Sequence, residues 1–224
     1  MSSGPYDFWL LDLDGTLIDV EQQYIYDVMN TVGRRFGRSF SEWEAEMLWY
    51  GPSQSRATIM DRHEIDPEQF WQAFHEVEQP EKRAAASHLY SDTEQFIRAI
   101  DGPVGLVTHC QEFITWPVLK YLDIEDWFDT IVCCTDETGW KPDPEPVELA
   151  MADLGVDSDA DGVLVGDDPS DVGAAWNAGL TGVHIQRRDP NRVGQCVRGD
   201  RRIESLDALL TGASVESDQR RAMD

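Results

Sequence analysis

The stretch FWLLDLDGTLID, residues 8–19, constrains this chain more than any other. Phe8, Trp9, Leu10 and Leu11 form an unbroken apolar run, which suits a strand buried on both faces. That run leads straight into Asp12, Asp14 and, a little later, Asp19. Desolvated carboxylates are costly unless a cation or a dense set of donors meets them. Asp12 and Asp14 stand two residues apart, so on extended backbone their side chains project to one side. The fold must bring compensating groups to the end of this strand.

Five strand-like runs stand out: 6–11, 104–109 (VGLVTH), 129–134 (DTIVCC), 162–166 (GVLVG) and 181–186 (TGVHIQ). Helical patterns separate the later ones. Ser91-Asp92 opens a stretch with Phe96, Ile97 and Ile100 on one side. Asp143 is expected to cap a helix with Pro144 at its first position, followed by Val147, Ala150, Met151 and Leu154 at helical spacing. Strands alternating with helices predict an α/β fold, a doubly wound parallel sheet covered on both faces.

Residues 19–90 break that alternation. Ile25, Val28, Met29, Val32 and Phe36 make a helical stripe ended by Gly37. Ser41 and Glu44 have capping-box spacing, and Asp66-Pro67 begins another helix. No strand pattern appears among them. The expected organisation is a core of residues 1–18 and 91–212, an inserted all-helical cap domain over 19–90, and a flexible tail over 213–224.

In open α/β sheets, ligands bind beyond the carboxyl ends of the strands. The first run ends in Asp12 and Asp14, and the second gives Thr108. The loop after the third gives Lys141, and the fourth leads to Asp167, Asp168 and Asp171. Three carboxylates from neighbouring strands either trap a proton or hold a cation. An oxygen-only set with no His or Cys suits Mg²⁺. With an ammonium and a hydroxyl donor added, the set reads as a phosphoryl-transfer site. Asp168 is expected to face solvent or cap the following helix, and Asp19 to sit at the start of the cap. His63, His75 and His88 read as surface or packing residues.

Asp12-Leu13-Asp14-Gly15-Thr16, Thr108, Lys141-Pro142 and Gly166-Asp167-Asp168-x-x-Asp171 resemble, in order and spacing, the four motifs of the haloacid dehalogenase superfamily. The resemblance spans Tyr6 to about Leu210, and the position of the insertion is similar to the phosphoglycolate phosphatase and β-phosphoglucomutase branch. It implies a Rossmann-like core, a Mg²⁺ cofactor and a small phosphate monoester as substrate. By it, Asp12 is the nucleophile and a metal ligand. Asp14 is the general acid/base and touches the metal through its backbone carbonyl. Thr108 and Lys141 hold the phosphoryl group, Asp167 ligates the metal, and Asp171 supports the site from behind. The segment Gly51–Arg56 resembles the specificity loop of that branch, which makes Arg56 a candidate for a second anionic group on the substrate. His109 stands where Asn often follows the Thr, and is a second candidate substrate contact. A dehalogenase would not need the acid at Asp14. A β-phosphoglucomutase-like phosphomutase would share the whole core, and a non-catalytic binding module on the same fold is the alternative from another class.

Composition narrows the setting. The chain has 224 residues, of which 41% are apolar, enough for a sizeable core. No apolar stretch is long enough to span a bilayer and no secretory leader is visible, so a soluble, cytoplasmic protein with no membrane partner is expected. Cys110, Cys133, Cys134 and Cys196 lack metal-ligand spacing and read as buried thiols. The formal net charge of −25 argues against nucleic acid as partner. A monomer or homodimer is expected.

There are 43 acidic residues against 18 basic ones, and only Lys82, Lys120 and Lys141 are lysines. Acids spread along the chain with scarce lysine resemble proteins of salt-accumulating organisms, haloarchaea above all. The Debye length shrinks from about 10 Å at 0.1 M salt to about 3 Å at 1 M, so salt screens the repulsion among these carboxylates. The melting temperature is therefore expected to rise between about 0.1 M and about 2 M KCl, with Mg²⁺ partly relieving the loss at low salt. A melting temperature that is flat or falls across that range contradicts the halophile reading.

Overall fold

The computed structural model describes residues 5–157, 159–193 and 197–210. Six strands form one sheet: β1 (Phe8–Leu11), β4 (Val104–Thr108), β5 (Thr130–Cys133), β6 (Gly162–Gly166), β7 (Thr181–Ile185) and β8 (Arg201–Ile203). Between β1 and β4 in the chain lie β2 (Ile18–Val20) and β3 (Ser87–Leu89), which pair with each other in an antiparallel ribbon. The sheet order is β5-β4-β1-β6-β7-β8, and every neighbouring pair is parallel. β1 therefore sits inside the sheet, flanked by β4 and β6.

Because side chains alternate across a strand, β1 feeds two cores. Trp9 and Leu11 join one apolar cluster with Phe96, Ile114, Val118 and Leu119. Phe8 and Leu10 join another with Val147, Ala150, Ala174 and Ala175. The first face is covered by α6 (Thr93–Ala99) and α7 (Glu112–Leu122), the second by α8 (Glu145–Leu154) and α9 (Pro169–Asn177). The sheet is doubly wound, as the alternation predicts.

The inserted segment is built from α1 (Gln22–Arg35), α2 (Glu42–Tyr50), α3 (Ser53–Arg62), α4 (Pro67–Val77) and α5 (Pro80–Ala85). It has an apolar cluster of its own around Ile25, Met29, Val32, Leu48 and Phe70. Ser41 and Glu44 form the expected capping box, and Asp66 accepts from the backbone N–H of Gln69 at 3.1 Å. The insertion is not wholly helical, because β2 and β3 close its two ends as a ribbon. Three residues are too few to show the period of a strand, and the same applies to β8, the sixth strand of the sheet. The helix expected at Asp143-Pro144 begins instead at Glu145, with Pro146 in its first turn. The Asp143 N–H is used in a turn with the Trp140 carbonyl at 2.9 Å.

Among the described residues no helix is long and apolar enough to cross a membrane. Cys110, Cys133 and Cys134 are free thiols, the last of them buried. Cys196 and the expected tail over 213–224 lie outside the described residues.

Asp92, expected to help open α6, makes no capping bond and does other work. Its carboxylate takes two bonds from Arg187 at 2.8 Å each, one from Ser205 Oγ and one from the Leu206 N–H. This ties the start of α6 to the loop after β7 and to the last described helix (Asp207–Leu210), which follows Leu206 directly. Burial works against the charged form of Asp92, but the Arg187 guanidinium and the Ser205 hydroxyl hold its pKa below the ordinary value of 3.8. The pair's stabilisation is thus present above the unfolded pKa and lost as pH falls through the lower folded value. Asp92→Asn is expected to destabilise the fold by about 3–5 kcal/mol, because it strands a buried guanidinium. Urea unfolding at neutral pH checks this. A loss under about 1 kcal/mol, as for a solvent-exposed pair, contradicts it.

Candidate active site

The strand register decides which residues meet. Leu11 of β1 pairs with Leu106 of β4 and with Val165 of β6. The three strands are parallel, so their carboxyl ends come out at one edge of the sheet within a residue or two of this register, with the Asp12 N–H donating to the Val165 carbonyl at 2.9 Å. Asp12, Thr108 and Asp167 come to that edge from β1, β4 and the loop after β6. Lys141 arrives from the loop after β5, and Asp171 from the first turn of α9.

Lys141 Nζ is the centre of the arrangement. It lies 2.8 Å from Asp12 Oδ1 and 2.6 Å from Asp171 Oδ1, and donates to the Val107 carbonyl at 2.8 Å. The ammonium is buried, with its side chain 1% exposed. Burial alone disfavours its charge, yet Asp12 and Asp171 raise its pKa well above the ordinary lysine value. The carboxyls move the other way. Burial pushes Asp12 up to about 7, Lys141 opposing and Asp171 adding to the rise. Asp167 is raised well above its ordinary value by burial, by Asp12 and by Asp171. Three clustered carboxyls with one ammonium are short of positive charge.

The donor set fits a hard cation. Oxygens of Asp12, Asp167 and Asp171 all lie within 4.8 Å of one another. No nitrogen or sulfur ligand belongs to the cluster, as Mg²⁺ favours. The backbone keeps the space open: Gly15 has φ of +80°, and a Cβ built there would lie 2.3 Å from Asp167 Oδ2. The Asp14 carboxylate stands outside this cluster.

Thr108 is buried, and its Oγ1 accepts from the Cys110 N–H at 3.0 Å, which leaves the hydroxyl hydrogen free. Asp168 caps α9 by accepting from the Ser170 N–H at 2.9 Å, while Asp171 accepts from the Asp168 N–H, also at 2.9 Å. Asp19 sits in the β2–β3 ribbon, where it accepts from Tyr50 Oη at 2.8 Å and Arg188 Nη2 at 2.5 Å. His63 packs against Phe40 and bonds Glu44 at 3.0 Å, and His88 is exposed in the ribbon.

A cavity of about 150 Å³ opens between this edge and the helical insertion, lined by Asp12, Asp14, Lys141 and Asp167 below. Arg56, Trp49 and Phe74 line it from the insertion. Arg56 Nη2 donates to the Trp49 carbonyl at 3.2 Å and lies 3.8 Å from Asp168 Oδ2, while its Nε is buried without a partner. His109 also faces the cavity, its ring 5.6 Å from that of Trp140. Burial, Lys141 and Arg56 lower its pKa to about 3, so it is a neutral imidazole at pH 7. His75, expected from the sequence to be a surface or packing residue, lines the same cavity from α4.

Three groups at the site carry no sequence signal. Arg83 on α5 is 1% exposed and pairs with Asp14. Glu78 lies 3.7 Å from Arg83 Nε, and its pKa is pushed up to about 7 by burial, Arg83 opposing and Asp14 adding. Trp49 stacks under the Arg83 guanidinium at 4.9 Å. In the sequence Arg83 is one more basic residue in a short helix.

A family model for haloacid dehalogenase-like hydrolases matches residues 9–185. The chain is 30% identical over 171 residues to the pyrophosphatase PpaX of Bacillus velezensis, covering 76% of this chain and 78% of that one. It is 26% identical over 178 residues to a phosphoglycolate phosphatase of Nitrosococcus oceani, covering 74% and 77%. The fold is shared with a haloacid dehalogenase-like family hydrolase from Streptococcus pneumoniae, with a TM-score of 0.72 at 16% identity over 92% of this chain and 97% of that one. The carboxylates at one sheet edge, the buried lysine among them and the family match together make this chain a member of the haloacid dehalogenase-like hydrolase family.

Proposed function

We propose that the chain is a Mg²⁺-dependent phosphatase that hydrolyses a small phosphate monoester through a phosphoryl group carried on Asp12. The observation that carries this reading is the buried Lys141 bridging Asp12 and Asp171 beside Asp167. The set offers a nucleophilic carboxylate held in place and a cation-binding cluster at the floor of a cavity. Relatives named as a pyrophosphatase and a phosphoglycolate phosphatase support the same reaction class.

In this reading an Asp12 oxygen attacks phosphorus while the bond from phosphorus to the leaving oxygen breaks. Asp14 gives that oxygen its proton. Asp14 then takes a proton from a water, whose oxygen attacks the aspartyl phosphate, releasing phosphate and restoring Asp12. Lys141 fixes Asp12 for both steps and balances charge, and the free Thr108 hydroxyl hydrogen is available to a phosphoryl oxygen. Asp12, Asp167 and the Asp14 backbone carbonyl would hold Mg²⁺, which supplies Lewis-acid charge stabilisation when bound. Asp171 is already committed to Lys141 and to the cap of α9, which suits support of the site.

The substrate's remaining part would face the helical insertion. Arg56 holds a buried, unpartnered Nε there, and both relatives' names denote substrates with a second acidic group beside the phosphate. Steady-state assays on a panel of phosphate esters with Mg²⁺, in concentrated salt, test the reaction. Arg56→Ala is expected to raise KM for a carboxylated phosphate ester by about tenfold or more and to leave KM for a neutral aryl phosphate nearly unchanged. Equal effects on both esters contradict the second-anion contact.

A further inference from the structure

Arg83 has a geometry that neither the motifs nor the comparisons account for. It is a fully buried arginine on α5, the last helix of the insertion, shortly before the β3 side of the ribbon. Its Nη2 donates to Asp14 Oδ1 across 69 residues of sequence. Its Nε lies 3.7 Å from Glu78 Oε1, and its guanidinium rests 4.9 Å from the Trp49 ring centroid. Nη1 is buried with no partner, and the residue lines the cavity with Asp12, Asp14 and Lys141.

Only the core supplies the residues of the four motifs, yet the carboxylate of Asp14 is gripped from the insertion. Asp14 itself is only half-buried, with 26% of its side chain exposed, so its own strand end does not enclose it. Arg83 is the reverse: Glu78 on one side and the Trp49 ring on the other fix the guanidinium plane before Asp14 is reached. Tyr24 Oη lies 3.5 Å from Glu78 Oε1, which extends the support into α1. An aspartate that must hand a proton to one oxygen and take it from another needs a defined rotamer, and here the rotamer is set by Arg83 of α5, a helix that packs on α7 with Ala84 in the core cluster.

We infer that Arg83 is a positioning residue for the proton-transfer carboxylate Asp14, held there by Glu78 and Trp49 on a helix that is itself docked on α7 of the core. The inference rests on the phosphatase reading above. It makes a demand that simple neutralisation of Glu78 does not. Protonation matters for a leaving alkoxide and matters little for a nitrophenolate, which departs without help. Loss of Arg83 should therefore discriminate between leaving groups in kcat/KM, which reports the steps up to the transfer to Asp12.

The test compares an alkyl phosphate with p-nitrophenyl phosphate, with Mg²⁺, for the parent, Arg83→Lys, Arg83→Met and the double variant Arg83→Met/Glu78→Gln. The double variant leaves no buried carboxylate stranded and so guards against simple misfolding. Thermal melts establish that each variant is folded. Arg83→Met and the double variant are expected to lower kcat/KM for the alkyl ester by about 100-fold relative to the aryl ester, the scale of a misplaced catalytic group. Arg83→Lys should recover part of that ratio. Adding either change to Asp14→Asn should leave the ratio of that variant unmoved, because Arg83 acts through Asp14. Equal losses on both esters in folded variants overturn the inference while leaving the phosphatase reading standing. A parent protein that turns over neither ester overturns both.

Discussion

The contact of Lys141 with Asp12 and Asp171 is the constraint on which the rest of the structure depends. A buried ammonium without partners is untenable, and so is a buried carboxylate at the end of a fully apolar strand. Each makes the other possible, at 2.8 Å and 2.6 Å. The contact also draws together four pieces of chain: the end of β1, the end of β4 through the Val107 carbonyl, the loop after β5, and the first turn of α9. The apolar run of β1 acts as the foundation, since two cores grip its alternate side chains and leave Asp12 no freedom to retreat. A rigid strand end is a good place for a group that must keep one position while charge moves around it.

Besides the apolar docking of α5 on α7, where Ala84 joins the core cluster, the insertion meets the core through polar contacts. Arg192 forms a two-point pair with Glu46 of α2, at 2.6 Å and 2.5 Å, and Trp43 Nε1 donates to the Arg192 carbonyl at 3.1 Å. Arg188 reaches Asp19 in the ribbon while its guanidinium lies 3.3 Å from the Tyr50 ring. Both arginines lie in the segment after β7, Arg192 within a short helix (Pro190–Val193), so one stretch of the core contacts the insertion at both the ribbon and its second helix. Polar contacts of this kind can be remade more readily than an apolar interface.

Much of the site was legible because its chemistry demands charged residues where apolar ones are expected. Asp12, Asp14, Thr108, Lys141 and Asp167 follow apolar runs, and parallel strands carry them to one edge whatever the details of packing. The stripe of α1 and the capping box at Ser41 were legible for the same reason, a local pattern with a single physical meaning. Short elements were not. β2, β3 and β8 have three residues each and depend on partners supplied by distant chain. Arg83 was invisible because its importance comes only from what surrounds it in space, namely Asp14, Glu78 and Trp49. Asp92 misled in a related way, since a residue of capping type was recruited by Arg187 instead.

The central claim is that Asp12 carries the phosphoryl group between the two halves of the reaction. Rapid quenching of the enzyme during turnover of a phosphate ester, followed by mass spectrometry of its peptides, tests this directly. The account predicts a phosphoryl adduct on Asp12 at early times that decays as phosphate is released, and none in Asp12→Asn. Ester hydrolysis that proceeds with no adduct on Asp12 at any quench time, or with the adduct on another residue, would contradict it.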